Sequence, residues 1–283
     1  MGLNNRLQGF YTREGAGVYK NGPQKGPVRR FLQIFCTKWT SLLRANLLYV
    51  LLALPLLTNG LGEAGMTYIT RSAARGRFAY PAHDFFKTVK RTWKRALPVG
   101  LINLAVWAVL VYNLYFYVMS LFFRVDGSEA PTLHWLLFAI NLLGMLMFEF
   151  MNYYIPFMLV TFSLNIKQMY KNAFMFSLHN FKQNICIYGI LFGVTLVLLF
   201  PFLLIDYRIW AAILLLLLVL IYPAFRSLLV QYAVFPYIKK NMIDPYYEAH
   251  PEASKKAMRA LNIEVEDEEE QQAVFDDRDP DKM

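Results

Sequence analysis

The chain has almost no cysteine, few acidic residues over most of its length, and long stretches with no charge at all. Its two cysteines, Cys36 and Cys186, lie in or beside apolar segments. Two such residues make no disulfide framework, and no histidine cluster joins them, so no metal site is expected. The four histidines, at 83, 134, 179 and 250, are scattered. No Gly-rich loop with a following Lys is present to cradle nucleotide phosphates. No Ser or Cys has a recognisable base beside it. An enzyme is therefore not expected, and neither is a cofactor. The first thirty residues are polar and basic, with no apolar core ahead of a small-residue cleavage site, which argues against a cleaved signal peptide.

What is present is apolar. Hydrophobic residues make up 57% and charged residues only 17%, against roughly 45–50% and about 25% in soluble domains. Residues 96–123 hold no charge, residues 133–164 hold only Glu149, residues 185–205 hold none, and residues 209–234 hold only Arg226. Each run exceeds the roughly 20 residues that a helix needs to cross a hydrocarbon core of about 30 Å. The fold class is therefore all-α, a polytopic membrane helical bundle.

The charges that remain are unevenly placed. Residues 1–247 hold 24 Lys/Arg against 8 Asp/Glu, whereas residues 248–283 hold 5 against 12. The basic residues sit between the apolar runs, so membrane orientation accounts for them and no nucleic-acid partner is expected. Residues 62–95 carry eight Lys/Arg and two acids, residues 124–132 one base and two acids, and residues 165–184 three lysines and no acid. This alternation of basic and neutral loops is that of a chain whose basic loops are cytoplasmic.

The basic N-terminal tail fits that pattern only if the segment after residue 42 enters and returns. In LPLLTNGLGEAGMTYITRSAARGR, residues 54–77, the turn motif Pro55, Thr58, Gly60 would mark the tip, with Asn59-Gly60 as the turn pair. The small residues Gly62, Ala64, Gly65, Ala73 and Ala74 would let the return pack closely on its neighbours. Six membrane segments follow, at about 42–58, 60–75, 96–123, 133–164, 185–205 and 209–234, with both termini cytoplasmic. Residues 31–44 read as a helix lying along or entering the interface, with Lys38 and Arg44 snorkelling. Three regions result: a polar basic tail over 1–30, a membrane domain over 31–240, and an acidic tail over 241–283. That tail holds one short helix near 252–261 and a disordered acidic run at 264–270.

A break at Tyr80-Pro81 precedes a basic helix over residues 85–95, with Asp84 as its N-cap. Phe85, Phe86, Val89 and Trp93 would share one face of it. With Arg75, Arg77, Asp84 and Lys87, these aromatics form the expected cytoplasmic docking surface. Inside the membrane, Glu149 needs a partner, because an unpaired ionisable group there costs about 2.5–3.5 kcal/mol. Asn152 and Tyr153, three and four residues on, share its face. Glu149 and Arg226 would lie at matching depth on two helices that run the same way, which predicts a contact between them.

The run from Asn46 through Leu54, Pro55, Thr58 and Gly60 to Arg75-Gly76 and Asp84-Phe85-Phe86 resembles the YesL-like family of bacterial integral membrane proteins. Tyr154-Ile155-Pro156 and Lys171-Asn172-Ala173 look like that family's middle section, so the similarity covers residues 31–240. The family has no known function but is associated with carbohydrate uptake. The resemblance thus implies a non-catalytic accessory or assembly subunit in the bacterial cell membrane, with the permease and ATPase subunits of an ABC importer as partners. The alternative is a transporter or channel for a small solute or ion that uses Glu149. Glu63-Ala64 is not the Glu-Ala-Ala loop by which importer permeases grip their ATPase, because Ile69 stands where that loop needs Gly.

Overall fold

The computed structural model describes residues 26–123, 132–200 and 207–249, and every element among them is helical. Three of the helices are long and apolar enough to cross a membrane: Pro81–Phe122, Thr132–Thr161 and Phe181–Leu199. The protein is therefore an all-α membrane protein. The expected tail helix near 252–261 lies outside the described residues.

The first helix among the described residues, α1, is Pro27–Thr37. It packs on the rest of the bundle. Phe31 is buried and its ring meets Phe225 and Tyr232 edge-on, with centroids 5.7 and 5.8 Å away. The backbone kinks at Lys38, and α2, Trp39–Ala53, follows as a separate helix.

The tip after α2 differs from expectation. The turn runs through residues 54–58, and Asn59-Gly60 are already the first two residues of α3, Asn59–Ala74. Leu56 supplies the reversal with φ of 50°, and the Thr58 hydroxyl donates to the Leu52 carbonyl across it. Gly60 is needed for close approach instead of turning. A Cβ built on it would lie 2.7 Å from Gly100 Cα, and one on Gly100 would lie 2.8 Å from Gly60 Cα. Gly65 likewise leaves room for the Phe85 ring, which would stand 2.7 Å from a Cβ there. α3 ends with Gly76 at φ 71°, where the Gly76 N–H donates to Ala73 and the Arg77 N–H to Ser72, each at 2.9 Å. That is a Schellman end, and it explains the Arg75-Gly76 pair.

α4 is Pro81–Phe122, 42 residues without interruption, so the expected basic helix and the following span are one rod. Its length is about 63 Å at 1.5 Å per residue. Pro98 does not break it; the carbonyl this proline leaves open belongs to Lys94, an exposed residue. Asp84 is not the N-cap. Tyr80 holds that place, and the Asp84 carboxylate accepts its backbone N–H at 2.9 Å. The buried stripe is Phe85, Thr88, Thr92, Ala96, Val99 and Asn103. Phe86 and Trp93 fall off it and are about half exposed. Aromatic content alone had pointed to a different face.

α5, Thr132–Thr161, runs antiparallel to α4. Ser120 pairs with His134 at one end of the two helices, and Arg91 reaches the Val160 carbonyl at the other. α6, Ile166–His179, starts with a capping box between Asn165 and Gln168 and leads through Asn180 into α7, Phe181–Leu199.

The expected span over 209–234 is two helices, α8, Tyr207–Leu220, and α9, Tyr222–Ile238, broken at Ile221. Pro223 causes the break, since it has no N–H for the Val219 carbonyl. A π-helical turn, Lys239–Ile243, and the short α10, Asp244–Ala249, follow.

The hairpin of α2 and α3 is short relative to its neighbours. Gly60 meets α4 at Gly100, and α4 then continues to Phe122, about 33 Å farther by helical rise.

Candidate functional site

Between α2, α3, α5 and α9 lies a cavity of about 160 Å³, lined by Tyr49, Glu63, Asn152, Tyr222, Arg226 and Gln231 among others. Each wall follows from local sequence. α3 presents Asn59, Glu63, Thr67 and Thr70, spaced to fall along one face of a helix. Asn59 is linked on both sides: the Tyr49 hydroxyl donates to its Oδ1 at 3.0 Å, and its Nδ2 donates to Glu63 Oε1 at 3.2 Å. Thr70 and Ser227 share a hydrogen bond of 2.8 Å that ties α3 to α9.

Arg226 enters from the second turn of α9. Its Nη2 donates to Glu149 Oε1 at 2.8 Å, so the two charged residues expected at matching depth are in contact. The guanidinium also lies over the Tyr153 ring, 5.9 Å from its centroid. The Glu149 side chain is 18% exposed and that of Arg226 32%, so the pair is not sealed in the core. Asn152 lines the cavity, and Pro156 stands one turn below it. The site thus gathers two carboxyl groups, Glu63 and Glu149, around one guanidinium.

A chain of amides leads away from the cavity. The Tyr170 hydroxyl on α6 donates to Asn103 Oδ1 at 2.6 Å, and Asn103 Nδ2 donates to Asn152 Oδ1 at 2.8 Å. Asn152 Nδ2 in turn donates to the Phe148 carbonyl at 2.8 Å. Burial pushes the Tyr170 pKa well above the ordinary tyrosine range, so its hydroxyl keeps the proton it donates. Asn141 donates to the Leu110 carbonyl at 3.2 Å, an interhelical bond of the sort expected of membrane asparagines.

The basic residues divide into two groups. Arg91 donates to Val160 O at 3.1 Å and Arg95 to Phe162 O at 2.8 Å, while the buried Arg71 donates to the Thr161 hydroxyl. Three arginines therefore gather where α5 ends and its carbonyls lack intrahelical donors. Of the residues expected on a docking surface, Phe86, Lys87 and Trp93 are exposed. Phe85 is fully buried and belongs to the core, because its ring fills the space that Gly65 leaves. Arg75 is half-buried with its guanidinium 4.5 Å from the Phe235 ring centroid, and Asp84 is held by the helix start. Pro55 is exposed at the tip and Thr58 closes the turn.

Sequence reasoning tested Glu63 against the Glu-Ala-Ala loop and gave it no place in the intramembrane site. The Asn59, Glu63, Thr67 periodicity was the signal that could have placed it on a polar face. Among the described residues, no three His, Cys, Asp or Glu side chains are grouped to hold a metal ion.

Residues 42–114, which carry the α2–α3 hairpin and most of α4, match the model of a family described as "Protein of unknown function, DUF624". No curated protein and no solved structure matches the chain.

Proposed function

We propose that the chain is a YesL-like accessory or assembly subunit, non-catalytic, working beside a carbohydrate importer of the ABC type in the bacterial cell membrane. The observation that carries this reading is the single 42-residue rod of α4. The rod is about twice as long as a hydrocarbon core is thick, so its basic start projects from the membrane as a rigid extension. Phe86, Lys87, Lys90, Trp93 and Lys94 are exposed on it. A partner that grips this face is mechanically coupled to the span. The carbohydrate association comes from the family resemblance over residues 31–240.

In this reading both termini are cytoplasmic. α4, α5, α7 and the broken α8–α9 element each cross the bilayer. α2 and α3 make the remaining two of six membrane segments and return to the side they came from. Gly60, just inside the tip of this hairpin, meets α4 about 33 Å short of that helix's far end. We therefore take it as re-entrant, with exposed Leu54, Leu56 and Leu57 in hydrocarbon.

Affinity purification of the tagged full chain in mild detergent tests the partner. A permease or ATPase subunit should co-purify, and Trp93→Ala with Lys90→Glu should release it. A native preparation that brings down neither subunit removes the proposal.

A second reading, transport of a small solute or ion, is favoured by the cavity beside Glu63, Asn152 and Arg226. It requires flux in proteoliposomes that Glu149→Gln abolishes while the protein stays folded.

A further inference from the structure

The cavity between α2, α3, α5 and α9 holds more negative than positive charge. Glu149 is paired with Arg226 at 2.8 Å. Glu63 lines the cavity, is half-buried, and is held by an amide: Asn59 Nδ2 donates to its Oε1 at 3.2 Å. Among the described residues, no cation stands within salt-bridge distance of Glu63. One guanidinium cannot neutralise two carboxylates, so Glu63 either keeps a proton or meets a second cation.

A different side chain points to the second of these. Gln231 on α9 lines the same cavity and is 2% exposed, and its Oε1 has no hydrogen-bond partner. A buried acceptor left open is costly, and a ligand that donates a hydrogen bond removes the cost. The missing occupant is therefore both positive and a donor. The remaining walls set its body. Met66, Pro156, Pro223 and Val230 are apolar, and Tyr49 and Tyr222 add aromatic rings. Such walls suit a carbon chain, and aromatic faces attract a cation. They do not suit a bare metal ion, which takes oxygen ligands all round. The volume of about 160 Å³ is close to that of an engineered cavity of about 150 Å³ that admits benzene, so a ligand of about six heavy atoms fits.

We propose that this cavity binds a small primary amine in its ammonium form, whose N–H groups donate to the Glu63 carboxylate and to Gln231 Oε1. An ammonium group has three donors and no acceptor, which matches a site whose open groups are acceptors. Its charge balances the second carboxylate, and its carbon body takes the place beside Met66, Pro156 and Val230. The inference rests on the solute reading of the cavity, for which it names the ligand class, and it is independent of the importer.

The test uses the full-length protein in a neutral detergent. Butylammonium, butanol, tetramethylammonium and sodium, the cations as chlorides, are titrated separately, and binding is read by calorimetry. Butylammonium should bind at least tenfold more tightly than butanol, which has the same carbon body without the charge. The same margin should hold over tetramethylammonium, which has the charge without N–H groups. Glu63→Gln keeps the side-chain volume and an oxygen for Asn59, and should weaken butylammonium binding at least tenfold. Gln231→Leu should weaken it severalfold, and carries the test if circular dichroism shows Glu63→Gln to be unfolded. No binding of butylammonium, equal binding of butanol or sodium, or equal binding by native and variant chains overturns the proposal. Proteoliposome flux separates it from the transport reading. Ammonium binding without flux keeps the site and removes transport, whereas solute flux without ammonium binding keeps transport and removes the site.

Discussion

The side-chain amide of Asn46 donates to the backbone carbonyl of Val219 at 2.6 Å. Val219 is the residue whose carbonyl Pro223 leaves without an intrahelical donor. The break between α8 and α9 is therefore satisfied from a different helix, as freed backbone groups at membrane depth must be. Asn46 is fully buried, so water is no substitute. Replacing it by Leu should destabilise the protein by about 1–3 kcal/mol, the cost of an unpaired buried acceptor. Pro223→Ala restores the N–H that Val219 lacks. The double variant should recover most of the loss, as read by thermal unfolding in detergent.

The Glu149–Arg226 pair gives a second test. Removing one partner strands the other charge in an apolar setting, which costs about 3–5 kcal/mol for a buried pair and less here, where both side chains are partly exposed. Arg226→Met alone should lower the melting temperature markedly. Glu149→Gln combined with Arg226→Met should restore most of it. A double variant as unstable as the sum of the singles would mean that the two residues act separately.

Gly60 and Gly76 should respond to Ala substitution for different reasons. At Gly60 the added methyl meets the α4 backbone at Gly100, which cannot move aside without separating the helices. Overpacking of this kind costs about 1–3 kcal/mol. At Gly76 nothing lies within 4 Å of an added Cβ, but φ is 71°. The cost there is the backbone term alone, about 1–2 kcal/mol. Gly100→Ala should resemble Gly60→Ala, and the double variant should not be additive, because both methyls contend for one space. Thermal melts of the four proteins check this.

Arg91 and Arg95 should act as surrogate caps of α5. Each donates to a carbonyl at or just past its C-terminus. Changing either to Ala should cost about 0.3–1 kcal/mol and more in combination, and Lys should retain part of the effect through the helix dipole. Amide hydrogen exchange should show faster opening confined to the last turn of α5.

Cysteine labelling distinguishes the re-entrant hairpin from a full crossing. In a background where Cys36 and Cys186 are Ala, a cysteine at position 76 should react with a membrane-impermeant maleimide from the cytoplasmic side. A cysteine at position 56 should react from neither side in intact membranes, and only after detergent is added. Labelling of position 56 from outside would establish a complete crossing.

The sequence by itself determined the class of the protein and the places of its long helices. Apolar runs longer than a bilayer is thick carry that information locally, residue after residue, without reference to partners. It also singled out Glu149 and Arg226 as the lone charges of two apolar runs, from which their contact was expected. Only the tertiary structure decided which residues face each other. Phe85 and Phe86 are adjacent aromatics, yet one is core and the other exposed, because Gly65 on another helix makes room for the first alone. Asn59-Gly60 has the composition of a turn, but the packing of Gly60 on Gly100 makes it the start of a helix. Glu63 reads as an awkward charge until Asn59, Tyr49 and Arg226 are assembled around the same cavity. Periodicity and hydropathy are properties of one segment. Cavities, freed carbonyls and close glycine contacts exist only between segments, and so they emerge only when the helices pack.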